Sequence, residues 1–173
     1  MLFPIGNLNG CRGPRLSADR GYQGDDDDDA LNLNFNTATW ETNGGMFGNW
    51  ARVGGGYAMG ISKNRLTHTA GKLMVVGSDL ATPGNTGAGF HAITRGADNK
   101  QRIYGPAGTE IANGPAGHDT SHGTLVGLRV ATSYSTARLA AMFIGNGQWS
   151  AAQIQALRDA LLGYAVGVGV NPG

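Results

Sequence analysis

A chain of 173 residues is most simply one domain, long enough to bury roughly two-thirds of its extended-chain surface. The net charge of +1 and a pI near 7.9 give no general pull towards nucleic acid or an anionic membrane, and neither is expected as a partner. With charged residues at 14% and 30 glycines, many short strands joined by Gly and Asn turns fit better than a helical protein, whose surface would carry more Glu and Lys. The single cysteine, Cys11, rules out an intrachain disulfide, and no basic partner in the sequence marks it as a nucleophile. No stretch approaches the ~20 apolar residues of a membrane span. The opening MLFPIG is too short, and lacks the basic leader, for a signal peptide, so a folded protein made in a cytoplasm is expected.

Residues 1–30 are expected to form an irregular N-terminal arm and an acidic loop, and residues 31–173 the domain proper. Pro4, Asn7, Gly10, Gly13, Pro14 and Gly24 leave no room for a long element in the arm. Five successive aspartates fill positions 25–29. Hard oxygen ligands suit calcium, which makes Asp25, Asp27 and Asp29 weak candidate ligands. Calcium loops, however, interleave carboxylates with glycine and other spacers, whereas adjacent side chains point in different directions. A solvated, self-repelling loop is therefore expected, with an acidic docking patch as the other choice. No other metal and no cofactor is called for.

LNLNFN at 31–36 is the clearest strand: Leu31, Leu33 and Phe35 face one way, Asn32, Asn34 and Asn36 the other. Trp40, Trp50 and Tyr57 follow, set among glycines. A flat ring offers contact area at little entropic cost, so these three are candidate sugar-stacking residues. The competing assignment, core or interface, is the commoner one for such residues. Further strands are expected at 72–77, 88–95 and 101–104, with a loop at 81–87. The sequence GPAG occurs at 105–108 and again at 114–117, and two identical turns around a short strand suggest a meander. Strands at 124–131 and 138–144 bring the total to about seven. The last, RLAAMFI, is apolar on both alternating faces, as befits a strand covered on both sides.

After the Gly145-Asn-Gly break comes a helix, expected at about 150–163. Ser150 as N-cap and Gln153 three residues on form a capping box, and Trp149 and Ile154 are spaced as a hydrophobic staple. Ile154, Leu157, Leu161 and Tyr164 or Ala165 repeat at helical spacing, with Gln155, Arg158 and Asp159 opposite, and Gly163 marks an early stop. Such a helix is marginal alone, so its apolar stripe must dock on the body.

Catalytic patterns are scarce. His118 and His122 are four apart, as in some zinc sites, but the glycines at 114, 117 and 123 argue for a loop and no glutamate follows the first histidine. Asp119, Ser121 and His122 carry the letters of a triad, yet triads are assembled from distant segments. Neither a Gly-x-Ser-x-Gly elbow nor a phosphate-binding Gly-x-x-x-x-Gly-Lys loop is present. Glycoside hydrolysis needs two carboxylates facing across a cleft, and the scattered acids show no such pattern. An enzyme is disfavoured, a polysaccharide-processing one being the remote alternative.

The segments KQRIYG at 100–105, RLAAMFIG at 138–145 and WSAAQ at 149–153, followed by the short helix, resemble the terminal part of concanavalin-A-like (laminin-G-type) jelly-roll modules of bacteriophage virion proteins. The likeness spans roughly residues 66–168. It implies a mainly β chain, an antiparallel jelly-roll sandwich closed by one C-terminal amphipathic helix. It further implies a surface-exposed structural protein of the virion, made in the host cytoplasm. Attachment at the tail through a cell-surface glycan or receptor is the leading expectation, and capsid decoration that cements the head is the alternative. Contacts with other virion proteins and a homo-oligomer, a trimer by preference, are implied as well.

Overall fold

The computed structural model describes residues 15–17, 21–23, 30–36, 45–53, 56–61, 64–69, 72–76, 80–83, 88–96, 98, 100–115, 124–127, 129–130, 133–134, 136, 138–147 and 149–169. One antiparallel sheet has the order β1 (Arg15–Ser17), β2 (Gly21–Gln23), β15 (Arg138–Asn146), β4 (Gly45–Val53), β9 (Gly89–Arg95), β10 (Lys100–Tyr104), β11 (Glu110–Pro115). A second has the order β3 (Leu31–Asn36), β12 (Thr124–Gly127), β5 (Gly56–Ile61), β6 (Asn64–Thr69), β7 (Lys72–Val76), β8 (Leu80–Pro83). A small ribbon pairs β13 (Arg129–Val130) with β14 (Ser133–Tyr134), and the helix α1 spans Ala151–Gly167. The expected mainly β, antiparallel sandwich with one C-terminal helix is the architecture found among the described residues.

The sheets lie face to face. Leu31 of the second sheet packs with Ala51, Leu139 and Met142 of the first. A Cβ on Gly127 of β12 would stand within 2.4 Å of the Met142 sulfur and 3.5 Å of Leu31, so only glycine lets the two layers approach there. Cross-strand partners share a face. Register therefore puts Ala51, Asn49 and Phe47 of β4, with His91 and Ile93 of β9, on this inner face. Asn49 and His91 sit opposite one another and are fully buried, and Gln101 of β10 is buried on the same face.

The other face of the seven-stranded sheet carries the helix. Met46, Trp50, Phe90, Ala92, Tyr104 and Ile154 form one buried cluster, flanked by Phe143, Trp149, Leu157, Leu161 and Leu162. Phe143 stacks on Phe90 at 5.1 Å and 12°, and Phe90 meets Trp50 edge-on at 6.1 Å and 75°. Strand β15, between β2 and β4, is thus apolar towards both the helix and the second sheet, as its sequence implies.

The capping box is as expected: the Ser150 hydroxyl accepts from the Gln153 amide at 3.3 Å, and the Ser150 amide donates to Gln153 Oε1 at 2.8 Å. Ile154 is the fully buried anchor and shares its cluster with Trp149, the staple partner. The helix does not stop at Gly163 but runs to Gly167, because nothing opposes continuation through an exposed glycine. Ala165 stays half-buried while Tyr164 is 61% exposed, so Ala165 continues the docked stripe.

Other expectations are corrected. Residues 15–17 and 21–23, assigned to an irregular arm, form strands, and β2 pairs with β15 at Arg138 and Leu139. Residues 81–83, expected in a loop, belong to β8, which pairs with β7. The strand total among the described residues is well above seven, and β4 and β5 carry internal glycines, Gly48 and Gly60, that mask their pattern. The two GPAG copies differ. The first closes the β10–β11 hairpin, with Gly105 N–H donating to Thr109 O at 3.0 Å, and Gly108 takes φ of +75°. In the second, Gly114 and Pro115 still belong to β11, an edge strand where a missing proline N–H can be tolerated. Asn34 departs from plain alternation: it takes φ of +49°, its N–H donates to Asn32 Oδ1 at 2.8 Å, and register slips opposite it. No helix among the described residues is long and apolar enough to cross a membrane.

Candidate functional site

The face that carries α1 is apolar along most of its length, but changes character near the helix start. Register places Thr94 of β9, Arg102 of β10 and Asn113 of β11 in one row across the sheet, on the face that also presents Tyr104. The turn after β9 is closed by Gly96 N–H donating to Lys100 O at 3.0 Å. Inside it, Asp98 Oδ1 accepts from Lys100 N–H at 3.2 Å.

Between this row, the turn and the first turn of α1 lies an open depression of about 410 Å³. Its lining combines Thr94, Arg95, Asp98, Arg102, Tyr104 and Glu110 with Trp149, Ser150, Ala151 and Gln153. Arg102 is its centre. The guanidinium donates to Asp98 at 2.5 and 3.4 Å, and its Nε lies 3.7 Å from Glu110. Glu110 also accepts from the Asn113 side chain, so both carboxylates are held in place. Hydrogen bonds from Arg102 hold the Asp98 carboxyl below the usual carboxylate range, and the Lys100 amide adds to this. Burial pushes the Tyr104 phenol above its usual value, so it is a neutral hydroxyl at pH 7. Trp149 is half-buried, and its indole covers Gly145 so closely that a Cβ there would stand 2.8 Å from the ring.

This lining offers fixed acceptors, fixed donors and an aromatic ring on a rigid sheet. Asp98, held below the usual carboxylate range by Arg102, is an ionised acceptor at pH 7.

The residues singled out from sequence do not meet here. Trp50 is 5% exposed and sits in the core against Phe90, with no open ring face to offer a sugar; the assignment to core is the one its surroundings support. Tyr57 belongs to β5 of the other sheet, paired with Thr67, and its side chain lies outside the described residues. Trp40, the aspartates Asp25, Asp27 and Asp29, Cys11, His118 and His122 also lie outside them. Among the described residues no group of three or more His, Cys, Asp or Glu is placed to hold a metal ion. Sequence reasoning missed Thr94, Arg102, Tyr104 and Glu110. One signal was available: Arg102 and Tyr104 are two apart on one strand, so a charge shares the face of a core aromatic.

No protein-family model and no curated protein sequence matches the chain. Solved structures do share its fold. A structure described as HCR/D-Sa-GBL1/C superposes with a TM-score of 0.55 at 12% identity, over 76% of this chain and 40% of that one. A tryptophan-to-alanine mutant of HCR/D gives 0.57 at 11%, over 86% and 45%. A phenylalanine-to-alanine mutant gives 0.54 at 14%, over 83% and 43%. The chain therefore spans less than half the length of these structures, and at such identities the likeness is one of fold. It defines the class as an antiparallel, jelly-roll-like β-sandwich.

Proposed function

We propose that this chain is a non-catalytic binding module, a surface-exposed structural protein of a bacteriophage virion that attaches to a cell-surface glycan or receptor. The observation that carries the binding part is the depression at the start of α1, where Arg102 holds Asp98 and Glu110 as oriented acceptors beside Trp149. Recognition of polar ligands uses this combination: a few fixed polar groups give orientation, and an aromatic ring gives contact area. The virion part rests on the resemblance carried by residues 100–105, 138–145 and 149–153. Binding of the intact chain to host cells and to a glycan array tests the proposal. Saturable binding lost in Arg102→Ala is the expected result, and no binding to either surface refutes it.

Capsid decoration is the second reading, and one observation favours it. The last turns of α1 expose Tyr164, Val166 and Val168 at 61, 64 and 54%, an apolar end suited to contact with a neighbouring virion protein. Uptake onto bare capsids, with no binding to cells or glycans, would place decoration first.

A further inference from the structure

Helix α1 carries an apolar stripe at alternating spacings of three and four: Ile154, Leu157, Leu161, Tyr164 and Val168. Side chains so spaced share one side of a helix. Their burial is uneven. Ile154 is fully buried, and Leu157 and Leu161 pack against its cluster, yet Tyr164 and Val168 are 61 and 54% exposed. The stripe that docks α1 on the sheet thus runs on past its docked part as an uncovered apolar edge.

Contacts along the helix show which way that edge looks. Arg158 Nε donates to the Pro106 carbonyl at 3.2 Å, so the β10–β11 turn lies against one flank of α1. At about 3.6 residues per turn Arg158 falls to one side of Ile154, and Tyr164 and Val168 fall to the other. They therefore look away from that turn, towards the side of the sheet that runs from β4 through β15 and β2 to β1. Register carries Leu16 of β1 through Tyr22, Leu139 and Ala51 to Gly89. A Cβ on Gly89 would stand 3.1 Å from Pro106, so this row ends beside the turn that Arg158 holds. Residues 1–14, which lie outside the described residues, join the sheet at Arg15, at the end of the body over which α1 is uncovered.

From this placement we infer that residues 1–8 of the chain fold back onto the C-terminal half of α1 and cover Tyr164 and Val168. The segment reads MLFPIGNL, apolar at Met1, Leu2, Phe3, Ile5 and Leu8, with no charge before Arg12. Burying it against an apolar edge therefore strips no charge of water. Three strand spacings, about 14 Å, separate β1 from β4, whose Met46 and Trp50 belong to the cluster under the helix. Residues 9–14 span up to about 20 Å when extended, enough to make the crossing with β1 still paired. The inference is independent of glycan attachment and bears on capsid decoration, because an edge covered by its own chain is not free for a neighbour.

Disulfide trapping on the full chain tests it. In a Cys11→Ser background, Phe3→Cys is combined either with Tyr164→Cys or, as control, with Asp159→Cys on the far side of the helix, where the side chain is 56% exposed. Both helix positions are exposed, so neither change disturbs the core. Oxidation at low protein concentration, read by non-reducing gels and peptide mass mapping, should link positions 3 and 164 within one chain about tenfold faster than positions 3 and 159. Amide exchange gives a second reading: Phe3→Asp with Ile5→Asp should speed exchange of residues 161–168 about tenfold and leave residues 151–157 unchanged. Equal trapping at the two positions, or exchange at 161–168 unmoved by the aspartates, overturns the inference. Trapping found only between chains overturns it as well and assigns the edge to a second copy.

Discussion

Alanine in place of Gly48 is the sharpest test of the packing that underlies the site. A Cβ at this position would stand 2.2 Å from the His91 carbonyl oxygen and 2.5 and 2.6 Å from two atoms of the Phe143 ring. Carbon atoms pack at roughly 3.5–4.0 Å, so neighbours would have to yield by about 1 Å or more. Neither is free to do so. The His91 carbonyl belongs to β9, whose ladder with β4 runs through Asn49 and His91. Phe143 is stacked on Phe90, which is wedged in turn against Trp50. Forcing an extra methyl into a packed core costs about 1–3 kcal/mol, and movement of a sheet backbone puts this site at the upper end. For a domain of this size a loss of about 3 kcal/mol lowers Tm by roughly 6–12 °C. Gly163→Ala is the matched control. That position lies inside α1 with nothing within 4 Å of the added methyl, so the same chemical change should stabilise by roughly 0.5–1 kcal/mol through helix propensity. Urea and thermal melts followed by circular dichroism measure both. A Gly48→Ala chain that melts with the parent, or a Gly163→Ala chain that melts well below it, refutes the packing argument.

Three further outcomes are expected. Ile154→Ala, which empties the buried anchor of the helix, should cost about 3 kcal/mol in urea denaturation, and an effect under about 1 kcal/mol would show that α1 contributes little to the core. Ser150→Ala removes the hydroxyl half of the capping box and should cost about 1 kcal/mol, with earlier amide exchange confined to the first turn of α1. The Asp98 carboxyl has a folded pKa below its unfolded value of about 3.9. The stabilisation it supplies is therefore present at all pH above that unfolded value and is lost as pH falls through the folded one. Asp98→Asn should accordingly lower the denaturation midpoint at pH 7, and its difference from the parent should close in acid; a gap that persists at pH 2 would exclude the ion pair with Arg102 as its source.

Much of the local structure is legible without coordinates. Strand β3 shows in the alternation of its side chains, because a half-buried strand must alternate, whereas β9, β10 and β15 show as short apolar runs, β15 extending past the expected 138–144 through the glycine break to Asn146. The N-terminus of α1 shows in four residues, since Trp149, Ser150, Gln153 and Ile154 interact within one helical turn. The C-terminus was harder, because Gly163 faces open space and nothing forces a stop there. Strand β4 was hidden for the opposite reason. Its glycine at 48 lowers local strand propensity but is demanded by Phe143, almost a hundred residues further along the chain.

The candidate site was illegible for a related reason. Trp50 and Tyr57 look alike as aromatics among glycines, yet burial of Trp50 depends on α1 arriving from the far end of the chain. Thr94, Arg102 and Glu110 lie on three strands and Trp149 ahead of α1, and no spacing in the sequence brings them together. By itself, then, the sequence determined the class of the protein, its antiparallel strands and its capped helix, all of which follow from contacts between near neighbours. Only the tertiary structure decided which strands adjoin, which aromatics are core and where the depression opens. Those outcomes depend on which faces bury one another, and the pairing of faces is a property of the whole fold, not of any one segment.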